Sequence, residues 1–232
     1  MSTRSPYKAT MSTAAQEWAE ATEQSLLDEA LKFAPIHGWT RRTAALAGKA
    51  LGMSQGETEL LLPNGPEDLA ALLSRRHDAR ALATLADVHA SNLKIRERIR
   101  RAVEARLDAA AADEPATRRW MGHLALPQNL ALAGRLAWES ADVLWRWAGD
   151  TATDENHYTK RALLAGILTG AMAVRMASGR KEALEFVDRR IDNVMSFERW
   201  KATTTFRPSQ WLSDLAERMG KARYGGSSSP PA

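Results

Sequence analysis

From Leu130 to Ala148 the chain carries charge only at Arg135, Glu139, Asp142 and Arg146, which recur at spacings of four, three and four. On an α-helix that spacing draws one narrow stripe. Nearly every other position is apolar or small: Leu130, Ala137, Trp138, Ala141, Leu144, Trp145 and Ala148 cover one flank, and Leu132, Leu136, Val143 and Trp147 extend the other. Ser140 is the polar exception. A helix apolar over most of its circumference must be central to a bundle or wall a cavity.

Helical character extends through the rest. No stretch alternates with a period of two for long, β-branched clusters are scarce, and Ala, Leu, Glu and Arg dominate the 232 residues. These features predict an all-α chain of one or two domains with a substantial core. The expected organisation is a disordered start over 1–12, a three-helix head over 13–73 and a helical bundle over 74–200. A linker at 201–207, an amphipathic helix at 208–222 and a disordered tail at 223–232 follow. The first helix is expected to open near Thr13, with Gln16 completing a capping box, and to stop before Pro35. The second is expected over Arg42–Leu51, ending at Gly52, and the third from Ser54, capped with Glu57.

Helix, turn, helix with Gly52 in the turn is the order of a helix-turn-helix. Gly38-Trp39-Thr40, Ala45 to Gly52 and Ser54-Gln55-Gly56 resemble the DNA-binding head of tetracycline-repressor-type (TetR-like) regulators. The third helix departs from a groove reader: it offers Gln55, Glu57, Glu59, Leu60, Leu61 and Leu62. Residues 12–73 hold nine carboxylates against four Lys and Arg. Phosphate neutralisation supplies most non-specific DNA affinity, so no nucleic-acid partner is expected. The basicity lies elsewhere, in nine Lys and Arg against four carboxylates over 74–106, and again around Arg199 to Tyr224. The Arg75 to Arg106 stretch reads as a solvated helix face or as a contact for anionic lipid or an acidic partner.

The run Ala162 to Val174 is too short for the ~20 residues of a spanning helix, so no transmembrane segment is predicted. Gly166 and Gly170 share a helix face that lets another helix approach closely, and with Ile191 on the next helix they form the expected homodimer interface. The polar run Lys201 to Arg207 is expected to break the helix before it. After Pro208, Trp211, Leu212, Leu215 and Met219 form the apolar face of a short amphipathic helix flanked by Lys221 and Arg223, suited to an anionic membrane interface.

Cysteine is absent, which excludes disulfides, thiolate catalysis and cysteine-ligated metal. The five histidines show no His-Glu-x-x-His or Glu-x-x-His spacing, and no phosphate loop, dinucleotide fingerprint or nucleophile elbow occurs. No cofactor, metal site or catalytic residue is expected.

The stretch Leu144-Trp145-Arg146-Trp147-Ala148-Gly149-Asp150-Thr151-Ala152-Thr153-Asp154-Glu155-Asn156-His157-Tyr158-Thr159-Lys160-Arg161-Ala162-Leu163-Leu164-Ala165 resembles the family of coenzyme Q (ubiquinone) biosynthesis accessory proteins, ninth of the mitochondrial coenzyme Q series. Leu126 to Asn129 upstream and Asp188 to Met195 downstream extend the likeness. The resemblance implies a TetR-like fold without DNA binding, homodimerisation, a membrane-engaging C-terminal helix and an isoprenoid-lipid site in the bundle. The residues expected to form that site are Leu130, Leu136, Trp138, Ala141, Trp145, Leu164, Leu168 and Met172. It also implies a partner, the di-iron demethoxyubiquinone hydroxylase, met through Leu144, Asp154, His157, Tyr158 and Arg161. His157 stands where the mitochondrial members have Trp.

The start lacks the long transit segment of the mitochondrial members, so a bacterial cytoplasm, peripheral on the inner membrane, is the expected setting. The expected function is non-catalytic: a membrane-bound dimer accepts a polyprenyl quinone precursor and presents its head group to the hydroxylase. The alternatives are a transcription regulator sensing an acyl or isoprenoid ligand, and a partner-binding module without a ligand.

Overall fold

The computed structural model describes the backbone of residues 6–150 and 155–203 and the side chains of residues 15–150 and 157–196. Among the described residues there are nine α-helices and no strand, as the helical periodicity predicts: α1 (Pro6–His37), α2 (Arg41–Ala50), α3 (Gln55–Leu61), α4 (Pro66–Thr84), α5 (Ile95–Ala111), α6 (Glu114–Leu124), α7 (Leu130–Trp147), α8 (Glu155–Ser178) and α9 (Arg180–Thr203).

Local chemistry sets most boundaries. Thr40 caps α2 by accepting the Thr43 N–H at 3.3 Å. Ser54 and Glu57 close the expected capping box on α3, with Glu57 Oε2 accepting from Ser54 N at 2.8 Å. Between them Gly52 adopts φ +73°, a left-handed conformation that glycine enters without a Cβ penalty. Close packing of α2 on α3 needs a second glycine: a Cβ on Gly48 would stand 2.1 Å from Thr58 Oγ1.

Three boundaries and one segment differ from expectation. The first helix begins at Pro6, so Thr13 lies inside it, and residues 6–12 of the expected disordered start are helical. It also runs through Pro35, because a proline in the last turn forfeits only one helical bond. Gly38, at φ +69°, then ends the helix by donating its N–H to Ala34 O at 2.8 Å. The helix expected to end at Trp200 continues through Lys201 and Ala202 to Thr203. Finally, α8 contains His157–Ser178, a segment long and apolar enough to cross a membrane, whereas no such segment was expected. The expectation rested on the unbroken apolar run, whereas the longer segment includes Lys160, Arg161 and Arg175. In the structure this helix packs against α7 and α5, burying Leu164, Leu168, Ala171 and Met172.

By its contacts the chain divides after Asp188. In the first unit, 1–188, a core of Leu26, Leu27, Ala30, Trp39, Leu69 and Leu73 continues into Trp120, Leu124 and Leu136. The boundary expected between 73 and 74 therefore falls inside α4 and inside one core. Two indoles fasten it: Trp39 Nε1 donates to Ala116 O and Trp120 Nε1 to Ala70 O, each at 3.0 Å. In the second unit, 189–232, the described part is the end of α9.

The basic stretch is largely committed within the chain. Arg76 donates to Gln24 and Asp28, Arg80 to Asp113, Arg98 to the carbonyls of Leu93 and Ala148, and Arg100 to Asp188. These guanidiniums hold parts of the chain together, whereas Arg75, Lys94 and Arg101 are exposed, so the stretch is not a purely solvated face.

Candidate functional site

α4 to α8 surround a cavity of about 390 Å³. Its walls come from Trp120, Met121, Leu124 and Ala125 on and after α6, Leu130, Ala133, Leu136 and Ala137 on α7, and Leu168, Met172 and Ala173 on α8. The nearly all-apolar helix read from the sequence therefore does wall a cavity. Polar side chains enter the lining only at Ser74, Arg106, Ser140 and Thr169. Ala125, Leu130, Thr169 and Ala173 are exposed, whereas Ser74, Arg106 and Ser140 are buried, so three of the four polar residues lie at depth and the rim is apolar except for Thr169.

The three buried polar residues belong to one network. Arg106 Nε donates to Asp78 Oδ1 at 2.5 Å and its Nη2 to Ser74 Oγ at 3.4 Å, while Ser140 Oγ donates to Asp78 Oδ2 at 2.9 Å. Beside it His77, completely buried, faces Asp113 Oδ2 across 3.3 Å, and Arg80 donates to the same oxygen. Burial pushes the His77 imidazole down from its ordinary 6.5 to about 4, against the pull of Asp113, so it is neutral at pH 7. The hydrogen bond from His77 in turn holds the Asp113 carboxyl below its usual range.

A second charged cluster sits where α7 meets α8. Arg161, 2% exposed, donates through Nε to Asp142 Oδ1 at 2.6 Å and through Nη1 to Asp150 Oδ2 at 2.9 Å. Burial opposes its charge, but the hydrogen bonds and charges of Asp142 and Asp150 outweigh that and raise its pKa. Lys160 joins Asp150 at 2.7 Å, and Arg146 joins Asp142 at 2.8 Å. Half of the polar stripe on α7, Asp142 and Arg146, is thus held in an ionic seam.

Of the residues expected to bind lipid, Leu130, Leu136, Leu168 and Met172 line the cavity. Trp138, Ala141, Trp145 and Leu164 do not. Trp138 lies 6.1 Å from the Tyr158 ring, Ala141 and Leu164 are packed in the core, and Trp145 Nε1 donates to Lys160 O at 3.0 Å. Trp138 and Trp145 meet α8 while Ala141 and Leu164 fill the core, because on α7 the face of Leu130, Ala133, Leu136, Ala137 and Ser140 opens to the cavity and the neighbouring face of Trp138, Ala141 and Trp145 is packed.

Among the residues expected to meet a partner, Tyr158 is exposed and His157 stacks edge-on to it with centroids 5.2 Å apart. Leu144 and Arg161 are buried, and neither presents its side chain at the surface. Asp154 lies outside the described residues, as do Trp211, Leu212, Leu215 and Met219 of the expected membrane helix. At the expected dimer seam, Gly166 is open, with nothing within 4 Å of a Cβ built there. Gly170 is occupied from within the chain, since a Cβ would stand 2.7 Å from Phe186 Cζ. Ile191 belongs to the second unit.

Sequence reasoning missed Asp78, Ser74 and Arg106. A signal existed: Ser74 and Asp78 continue the Ala70 row of α4 at four-residue spacing, and Arg106 shares a face with Ala102, Val103 and Ala110. Charge on an otherwise apolar face marks a buried pair or a site.

The segment that supplies α7, α8 and most of the cavity's wall also decides the relationship, because residues 130–198 match the COQ9 family model. The chain is a relative of COQ9. It is 30% identical to the rat protein named "Ubiquinone biosynthesis protein COQ9, mitochondrial" over 189 residues, covering 78% of this chain and 61% of the rat protein. The bovine protein of that name is 30% identical, with 78% of this chain and 59% of the relative covered. The human one is 28% identical at the same two coverages. The chain therefore spans about three-fifths of the curated COQ9 proteins it matches. The resemblance read from the sequence is borne out. The setting expected from it is not: these COQ9 relatives are all named as mitochondrial, which overturns a bacterial cytoplasm and inner-membrane surface and points to mitochondria.

Proposed function

We propose that this chain is a non-catalytic accessory protein of ubiquinone biosynthesis that takes an isoprenoid quinone precursor into the α4–α8 cavity and delivers it to a di-iron demethoxyubiquinone hydroxylase. The observation that carries the reading is the apolar cavity of about 390 Å³, most of whose wall comes from the segment that matches the COQ9 family. At roughly 30 Å³ for each water-sized group, it holds on the order of a dozen non-hydrogen atoms, a substituted ring and a short length of chain. A longer tail continues past the exposed rim at Leu130.

In this reading the head keeps a TetR-like form without a DNA-binding role. Glu57, whose carboxyl is held below its usual range by hydrogen bonds from Ser54, and Glu59 put two negative charges on α3. Trp211, Leu212, Leu215 and Met219 dock the protein on a membrane, the exposed Tyr158 with its neighbour His157 forms part of the hydroxylase contact, and two copies pair. Arg161 and Leu144 serve that contact by holding α7 against α8 beneath it.

Mass spectrometry of an organic extract of the purified protein tests the central claim. A stoichiometric isoprenoid quinone or precursor is the expected result, and an extract with no lipid refutes lipid binding. In parallel, Trp211→Glu with Leu215→Glu is expected to abolish co-sedimentation with anionic liposomes while leaving the helical circular dichroism intact. Undiminished co-sedimentation refutes the membrane role.

A further inference from the structure

We propose that Arg106 is the polar anchor of the cavity, donating to a neutral oxygen acceptor on a chain-bearing ligand, so that the head enters first and the chain trails out at the rim. The inference rests on the lipid-binding reading and adds to it the chemistry of the head and its orientation.

The Arg106 side chain is only 4% exposed. Two of its nitrogens are committed, Nε to Asp78 and Nη2 to Ser74, but Nη1 is buried and finds no acceptor among the described residues. A buried guanidinium N–H without a partner is costly to leave unmet, and here it belongs to a residue that lines an otherwise apolar cavity. A ligand oxygen at Nη1 removes that cost. Such an arrangement, an apolar pocket with a few placed polar groups, is how small-molecule sites fix orientation.

The charge balance selects the head. Asp78 neutralises Arg106, Asp113 neutralises Arg80, and His77 between them is neutral. The network has no surplus positive charge, so a carboxylate or phosphate would bring an unpaired anion into a desolvated pocket. A carbonyl oxygen makes the missing hydrogen bond without that penalty.

Depth fixes the direction. Arg106, Ser74 and Ser140 are buried, whereas Ala125 and Leu130 at the rim are exposed and apolar. A ligand anchored at Arg106 therefore hides its head inside the protein and extends its chain outward. A carrier of this kind shields the head in transit, and the head must leave the cavity before another enzyme can act on it.

Titration calorimetry of the full chain with four six- or seven-carbon-chain probes tests this: 2-hexyl-1,4-benzoquinone, glyceryl monohexanoate, hexylbenzene and heptanoate. At least one of the two carbonyl-bearing neutral probes is expected to bind about ten-fold or more tightly than hexylbenzene, and the tighter of the two identifies a quinone or an acyl-ester source. Heptanoate is expected to bind no better than hexylbenzene. Equal affinity for all four overturns the anchor and leaves the lipid reading standing; heptanoate binding tightest overturns the neutral acceptor. Binding of none overturns the lipid reading itself. The paired substitution Asp78→Asn with Arg106→Gln, checked by circular dichroism, is expected to level the carbonyl preference while hexylbenzene still binds. Retention of the preference overturns the assignment to Arg106, and should the pair not fold, the four-probe series decides alone.

Discussion

Acidification should loosen this protein well above the range where carboxylates titrate, and His77 is the reason. Its ring is completely buried, its Nδ1 has no partner among the described residues, and burial takes its pKa from 6.5 to about 4. In the unfolded chain the imidazole keeps its ordinary value. Above pH 6.5 neither state carries the proton and His77 contributes no pH dependence. As pH falls from 6.5 towards 4 the unfolded state binds a proton that the folded state refuses, so stability falls by up to about 1.4 kcal/mol per pH unit, and by about 3 kcal/mol across the window. Below about pH 4 both states are protonated and this loss levels off. Urea unfolding followed by far-UV circular dichroism at pH 7.5, 6.5, 5.5 and 4.5 measures the slope. His77→Gln retains an N–H for Asp113 and carries no titrating group, so its stability should stay nearly flat between pH 6.5 and 5. A flat wild-type profile over that interval, or a variant as steep as the wild type, refutes the reasoning.

Four further outcomes follow from packing and ion pairing. Gly166→Ala should stabilise the fold by up to about 1 kcal/mol, the helix-propensity gain of alanine, because a Cβ there meets nothing within 4 Å. Gly170→Ala should lose that gain to overpacking against Phe186 and come out about 0–2 kcal/mol less stable; thermal melts of the two variants should move in opposite directions or at least separate by several degrees. Gly48→Ala, with its Cβ at 2.1 Å from Thr58 Oγ1, should cost about 1–3 kcal/mol, read as a lower urea midpoint at unchanged slope. Arg161→Met should cost about 3 kcal/mol by leaving Asp150 and Asp142 undercompensated, and Asp150→Asn added to it should recover part of the loss in the same assay.

The clearest sequence signals were those carried by local periodicity. The stripe of Arg135, Glu139, Asp142 and Arg146 located α7 and required its apolar surface to be covered, and the capping-box spacing placed the start of α3 at the residue after Ser54. What could not be read depends on partners far along the chain. Arg106 looks like one more arginine of a basic run until Asp78, 28 positions earlier, is brought against it. Gly170 looks like a seam for a second copy until Phe186 of the same chain fills it. The split among the expected lipid residues has the same origin: periodicity shows α7 to be apolar nearly all round, and only packing decides that Leu130 and Leu136 open to the cavity while Trp138, Ala141 and Trp145 do not.

α4 passes unbroken from the core of the head, at Leu69 to Leu73, to Ser74 in the cavity lining and to Asp78, which holds the lining residues Arg106 and Ser140 from behind. One rigid rod thus belongs to two places at once. This part of the lining has no means of loosening by itself, since any slippage of Asp78 drags the Leu69–Leu73 stretch out of register with α1 and α2. Head and cavity should therefore share a single cooperative opening unit, in which amides of α4 exchange with solvent at the pace of the whole unit and a bound ligand slows exchange as far away as α2. On this view the head, whatever its ancestry, acts as the brace that keeps the cavity lining from yielding.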